Sequence, residues 1–115
     1  MTLTMYGIPH CDTIRKARTW LDGHGIAFEF HDYKKAGIDE ARLMRWIGEA
    51  GWEVLLNKRG TTFRKLSDAD KADIDDAKAA RLMAANPSMI KRPVIEGPGA
   101  LIVGFDETIY AERLG

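Results

Sequence analysis

Cys11 is the one cysteine among 115 residues, and its neighbours suit it to chemistry. Leu3-Thr4-Met5-Tyr6-Gly7 alternates as a short strand and Ile8-Pro9-His10 reads as a turn. Ile14, Ala17, Trp20 and Leu21 then recur with a helical period. Cys11 therefore falls at or just before a helix N-terminus. Unpaired backbone N–H groups and the positive end of the helix dipole stabilise a thiolate there, and the thiolate is the nucleophile. Free cysteines usually pack as small hydrophobes, but this one follows Pro9 and His10 and stands outside the apolar stripe. Asp12 opposes ionisation of the sulfur, while Arg15, Lys16 and Arg18 lie close enough along the helix to offset it. His10 adjoins the sulfur; as an imidazolium it would lower the thiol pKa, and facing solvent it would not. His24 and His31 are too scattered, with a single cysteine, to suggest a zinc site.

Seventeen Lys and Arg residues balance seventeen Asp and Glu, so no global field draws the chain to nucleic acid or an anionic membrane. With 45% hydrophobic and 30% charged residues, the composition fits one soluble domain with a single core. No apolar run approaches the ~20 residues of a membrane span, and no signal-peptide pattern opens the chain. A lone cysteine cannot close an internal disulfide, which points to a reducing, cytoplasmic location.

The elements that must position Cys11 follow from pattern. Gly23 and Gly25 stop the first helix, and residues 27–33 alternate as a half-buried strand. This βαβ unit implies two parallel neighbouring strands. Asp39 caps a helix carrying Leu43, Met44, Trp46 and Ile47 that ends near Gly51, and residues 52–56 add a helical turn. Ser67 and Asp75 cap two more short helices, the second holding Ala77, Ala80, Leu82 and Met83 and stopping at Asn86-Pro87. Pro93-Val94-Ile95-Glu96 and Ala100-Leu101-Ile102-Val103 flank Gly97-Pro98-Gly99, an antiparallel hairpin signal. Asp106 then caps a final helix with Ile109, Tyr110 and Leu114 facing inward. Trp20, Trp46 and Trp52 are assigned to packing, and Lys34-Lys35 and Arg64-Lys65 to solvated faces.

The order β-α-β, helical insert, β-β-α, with a cysteine after the first strand, resembles a thioredoxin-like α/β fold with a four-stranded mixed sheet. Three segments sharpen this: Tyr6-Gly7-Ile8-Pro9-His10-Cys11-Asp12-Thr13-Ile14-Arg15-Lys16-Ala17, Leu55-Leu56-Asn57-Lys58-Arg59-Gly60-Thr61, and Ile90-Lys91-Arg92-Pro93-Val94. Together they resemble the arsenate-reductase/Spx (ArsC-like) family, most closely its YffB-type branch. The resemblance spans nearly the whole chain. It implies a single domain, residues 1–115, with a thioredoxin-like core at 1–37 and 88–115 and an all-helical insert at 38–87. For the YffB-type branch it implies glutathione-dependent thiol reduction at Cys11. It also implies a cis Arg92–Pro93 peptide, which turns backbone groups toward a cysteinyl peptide and the Arg92 guanidinium toward an anion near Cys11. Arg59 matches a second family arginine that contacts the oxyanion or glutathione. Guanidinium forks suit carboxylate and arsenate alike.

The departures are specific. Gly7 stands where the reductases carry a histidine four residues before the cysteine. Ile14 replaces a common serine, although Thr13 keeps a hydroxyl one position earlier. Val103-Gly104-Phe105-Asp106-Glu107 offers no third oxyanion arginine, and Ile14 also removes the second sulfur of a Cys-x-x-Cys switch.

The expectation is a glutathione-dependent thiol-disulfide oxidoreductase with Cys11 as nucleophile and Thr13, Arg59, Arg92 and Pro93 binding substrate or glutathione. Since the chain has no resolving cysteine, an external thiol from glutathione or a glutaredoxin must complete the cycle. Glutathione is a co-substrate, no metal, flavin or nucleotide is expected to be bound, and the partners are glutaredoxin and a cysteinyl protein. A monomer is expected, with neither nucleic acid nor membrane as partner. The alternatives are a glutaredoxin-dependent arsenate reductase, with a Cys11–arsenate adduct held by Arg59 and Arg92, and an Spx-like non-catalytic regulator that binds RNA polymerase or another protein.

Overall fold

Alternation over the first residues becomes β1 (Leu3–Gly7), and the helical period that follows becomes α1 (Asp12–Gly23) in the computed structural model, which describes residues 3–9, 11–97 and 100–114. The part assigned to His10 and the Pro98-Gly99 turn lie outside the described residues. α1 buries Ile14, Ala17, Trp20 and Leu21, the stripe read from the sequence. It ends in a Schellman turn: the Gly25 N–H donates to the Asp22 carbonyl at 3.2 Å and the Ile26 N–H to that of Leu21 at 3.0 Å. Gly25 closes it at φ 68°, a left-handed conformation that a residue without Cβ adopts freely.

β2 spans Phe28–Asp32 and runs parallel to β1, with Leu3 opposite Phe28 and Gly7 opposite Asp32. The expected strand through residue 33 is cut short because β1 ends at Gly7, leaving Tyr33 no ladder partner. Tyr33 instead opens a one-turn helix, α2 (Tyr33–Ala36).

The chain divides into two units, Met1–Ala36 with Arg92–Gly115, and Gly37–Lys91. The second is helical: α3 (Glu40–Ala50), α4 (Trp52–Leu55), α5 (Thr61–Arg64), α6 (Asp68–Lys71), α7 (Asp76–Ala85) and a 3-10 turn at Pro87–Met89. The three predicted caps form. Asp39 accepts from the Arg42 N–H at 2.7 Å, Ser67 from Asp70 at 3.1 Å and Asp75 from Lys78 at 2.8 Å. Leu43, Trp46 and Ile47 of α3 are buried, as are Ala79, Ala80 and Met83 of α7, and the two helices pack together. Met44 is exposed, and Ala77 lies on the outer face of α7 while Ala79 takes the inner one. Leu56 bridges Ile90, and Asn57 and Lys91 donate backbone hydrogen bonds to Met89 and Leu55 at 2.7 and 2.8 Å.

The first unit is completed by β3 (Val94–Gly97), β4 (Ala100–Val103) and α8 (Glu107–Leu114). Pro93 precedes β3 rather than opening it, having no N–H for a ladder, and its carbonyl accepts from Gly104 at 2.8 Å. The sheet order is β2-β1-β3-β4, with β3 antiparallel to both β1 and β4. This is the mixed four-stranded sheet of the thioredoxin-like reading. Leu3, Met5, Ile95 and Ile102 form one buried cluster with the α1 stripe and Tyr110. Asp106 caps α8, accepting from Thr108 and Ile109 at 2.9 and 3.2 Å. Ile109 corrects the inward set, being 40% exposed. Tyr110 sets the rotation of α8 instead: its ring is buried and its hydroxyl donates to the Gly104 carbonyl at 2.7 Å. No helix among the described residues is long and apolar enough to cross a membrane.

The registers place four connections at one end of the sheet. Gly7 faces Asp32, Tyr6 faces Val94, and Val94 faces Val103. The segment leading to Cys11, Tyr33, Arg92–Pro93 and Gly104 therefore all leave the sheet at that end.

Candidate active site

Cys11 is the N-cap residue of α1, with extended backbone at φ −94° and ψ 135°. Its carbonyl accepts the first helical hydrogen bond, from the Arg15 N–H at 3.0 Å. The side chain is half-buried against the edge of the sheet cluster. As a neutral thiol it caps nothing, but as a thiolate it is an acceptor for the orphan donors of the first turn. Partial burial is the largest influence on it and pushes the thiol up. The Ile14 and Thr13 N–H groups, the Arg92 guanidinium and the Thr13 hydroxyl together outweigh that and hold the pKa below its ordinary value.

Of the helical cations expected to offset Asp12, Arg15 does so directly and Arg18 is engaged elsewhere. Arg15 forms an exposed ion pair with Asp12 itself. The Arg18 guanidinium lies over the Phe28 and Phe30 rings, 6.0 and 5.1 Å from their centroids. The charge that reaches the sulfur comes from Arg92, eighty-one positions away in sequence and brought to the same sheet end by the β1–β3 pairing. Arg92 is half-buried, Pro93 is buried, and the peptide between them is cis, as the resemblance implies.

Cys11, Thr13, Arg92 and Pro93 thus belong to one unit and one edge. Arg59 belongs to the other unit. There it is exposed, its N–H donates to Asn57 Oδ1 at 3.1 Å, and with Lys58 and Lys91 it lines a cavity of about 340 Å³. Three cations against the single carboxylate of Glu53 suit that cavity to an anionic group. Lys58 also lies 5.0 Å from the centre of the half-buried Trp52 ring. A larger cavity, about 670 Å³, runs along the outer face of α1 beside Trp20 and His24, and Cys11 is not part of its lining.

Two departures from the reductase pattern prove to be one. A Cβ on Gly7 would collide with Ile14 Cδ1 and lie 3.2 Å from its Cγ1. The Ile14 side chain therefore fills the room that a residue-7 side chain would need.

Sequence reasoning missed Tyr33 and Lys91. Tyr33 read as the last residue of an alternating strand, and its ring is indeed buried. Nothing local marked its hydroxyl as one that would be buried without a partner among the described residues. Lys91 beside Arg92 offered only a second cation.

The sequence model of the ArsC family matches residues 6–112. An uncharacterised protein of Haemophilus influenzae is 43% identical over 108 residues, 94% of this chain and 95% of that one. The global transcriptional regulator Spx of Streptococcus agalactiae is 31% identical over 107 residues, covering 91% of this chain and 77% of the regulator. Among solved structures, a YffB protein superposes with a TM-score of 0.96 at 58% identity over 99% of this chain and 100% of its own. An arsenate reductase (ArsC) related protein from Brucella melitensis gives a TM-score of 0.76 at 51% identity, over 98% of this chain and 94% of its own.

Proposed function

The chain belongs to the ArsC family, and from that membership we propose that it is a glutathione-dependent thiol-disulfide oxidoreductase with Cys11 as its sole protein thiol. The observation that carries this reading is the cap position of Cys11, where two backbone N–H groups, a hydroxyl and a guanidinium favour the thiolate. The Cys11 thiolate attacks one sulfur of a glutathione mixed disulfide. The S–S bond breaks, a Cys11–glutathione disulfide forms, and the departing thiolate takes a proton from solvent. A second glutathione thiolate then attacks the glutathione sulfur of that adduct. Oxidised glutathione leaves and the Cys11 thiolate returns, so each turnover consumes one reduced glutathione, whose sulfur pairs with the glutathionyl sulfur taken from the mixed disulfide. With no other cysteine in the chain, resolution is intermolecular, by glutathione or a glutaredoxin.

Arg92, Pro93 and Thr13 hold the thiol peptide at the sheet end, and Arg59, in the helical unit, carries a guanidinium suited to a carboxylate. No bound cofactor enters this cycle. A reducing cytoplasm suits a catalytic thiol that must not be trapped as a disulfide, and a monomer suffices for it.

Oxidised glutathione should convert Cys11 stoichiometrically to its mixed disulfide, seen by mass spectrometry and reversed by excess glutathione or a glutaredoxin. Cys11→Ser should abolish the adduct, and NADPH consumption coupled through glutathione reductase should follow Cys11. A second reading, arsenate reduction through a Cys11 adduct, draws on the 51% identity to the arsenate reductase related protein. Efficient Cys11-dependent arsenate turnover with poor glutathionylation would favour it. The 31% identity to Spx supports a third, a regulator that binds a protein partner, and absence of either turnover in the folded protein would favour that.

A further inference from the structure

The cavity of about 670 Å³ belongs wholly to the first unit. From α1 it takes two neighbouring rows at four-residue spacing, Arg15, Thr19 and Gly23 in one and Lys16, Trp20 and His24 in the other. Cys11 and Asp12 stand one turn ahead in the same two rows. Phe105 and Glu107 complete the lining, and Phe105 packs, as Cys11 does, at the rim of the buried sheet cluster. The groove therefore starts a turn beyond the thiol and runs toward the far end of α1. Its floor is aromatic and fixed. Trp20 is 9% exposed and meets Tyr110 edge-on at 5.4 Å, and Phe105 meets the same tyrosine ring at 5.1 Å. His24 stacks on the indole at 3.8 Å, and its Nδ1 donates to the Trp20 carbonyl at 2.8 Å. Gly23 keeps the groove open. It ends α1 with a φ outside the left-handed region, and a Cβ there would meet nothing within 4 Å. Glycine weakens a helix, and neither backbone conformation nor packing within the chain calls for it here. Arg15 is neutralised by Asp12, whereas Lys16 and Glu107 form no ion pair among the described residues.

We propose that this groove binds an extended segment of the protein whose disulfide Cys11 exchanges. A large apolar side chain of that segment seats on the Trp20–Phe105 floor, an acidic neighbour meets Lys16 and a basic one meets Glu107. The disulfide-bearing occupant rests on the thiol-exchange reading above, while the apolar and charged complement follows from the groove itself. Trp20 lies nine residues beyond Cys11, or ~14 Å along the helix axis. An extended chain covers that span in about four residues. Glutathione has a single residue on each side of its cysteine, so it ends short of the indole and leaves the groove to a longer peptide. An apolar floor inside a polar, charged rim is the anatomy of a protein interface, where buried aromatic anchors carry most of the binding energy.

The probes are oxidised glutathione and two synthetic peptides, each with a single glutathionylated cysteine. One peptide carries Glu-Phe-Lys centred about four residues from the cysteine on both sides, so that either chain direction is served, and the other carries serines there. Cys11 should take glutathione from the Glu-Phe-Lys peptide about tenfold faster than from the serine peptide at equal concentration. Gly23→Gln puts a side chain into the groove without a clash and should bring that ratio close to one, while Gly23→Ala should keep most of it. No adduct with any probe, oxidised glutathione included, would count against the thiol-exchange reading. The groove is then decided by the Glu-Phe-Lys peptide with serine in place of its cysteine, titrated into the natural chain and followed at the Trp20 indole N–H by NMR. A shift there that Gly23→Gln removes supports the groove. No shift in that titration, equal rates for the two peptides, or a rate ratio untouched by Gly23→Gln would overturn it.

Discussion

The lowered pKa of Cys11 rests on separable groups, so each can be removed in turn. The rate of alkylation against pH should give a midpoint below the ~8.5 of a free thiol. Arg92→Ala and Thr13→Val should each raise it, since the first removes a cation and the second a hydroxyl from the thiolate. A midpoint unmoved by Arg92→Ala would take that guanidinium out of the site. The same shift has a stability sign. A thiol whose folded pKa is depressed contributes stability that is fully present above the unfolded pKa and is lost as pH falls through the folded one. The stability advantage of the natural chain over Cys11→Ser should therefore grow with pH up to about 8.5 and then level off. At this scale the cap position of Cys11 was legible, because strand, turn and helix follow one another locally. Its cation was assigned differently on local chemistry and on the resemblance. Arg15 and Arg18 are near in sequence but committed to Asp12 and to two rings, whereas Arg92 arrives through a long-range strand pairing.

The elements that carry the chain between these residues are set by their first turns. Asp75 accepts from the Lys78 N–H at the head of α7, whose inner face supplies Ala79, Ala80 and Met83 to the second unit's core. Asp75→Ala should cost about 1 kcal/mol in urea unfolding, and Asp75→Asn much less, since the amide oxygen still caps. A cost near zero for Asp75→Ala would show that packing alone holds α7. Caps and stripes made α1, α3, α7 and α8 readable in advance. The one-turn pieces Tyr33–Ala36, Thr61–Arg64 and Pro87–Met89 were not, because four residues or fewer contain no helical period. Ile109 shows the limit of a short stripe. Over eight residues two neighbouring apolar positions compete for the inner face, and the Tyr110 hydroxyl bond to Gly104 decides between them.

Across the whole molecule, the βαβ unit foretold the β1–β2 neighbours and the glycine-rich turn foretold β3–β4. The join between the two halves, Tyr6 opposite Val94, had no local signal, since nearly ninety residues separate the partners. That join makes Met5 the centre of the sheet, opposite Phe30 on one side and Ile95 on the other and fully buried. Met5→Ala should cost about 2–5 kcal/mol in denaturant unfolding, by cavity formation under the site. A loss below 1 kcal/mol would mean that the sheet closes over the gap.

The Gly7–Ile14 contact carries a consequence for descent rather than for chemistry. Two positions that share one volume cannot drift independently. Gly7→Ala alone should cost about 1–3 kcal/mol, and Gly7→Ala with Ile14→Val should cost less than the sum of the single changes. A lineage crossing between this arrangement and one with a side chain at position 7 crosses at least cost by shrinking residue 14 first. The favoured order of substitutions is thus written into the space between residues 7 and 14.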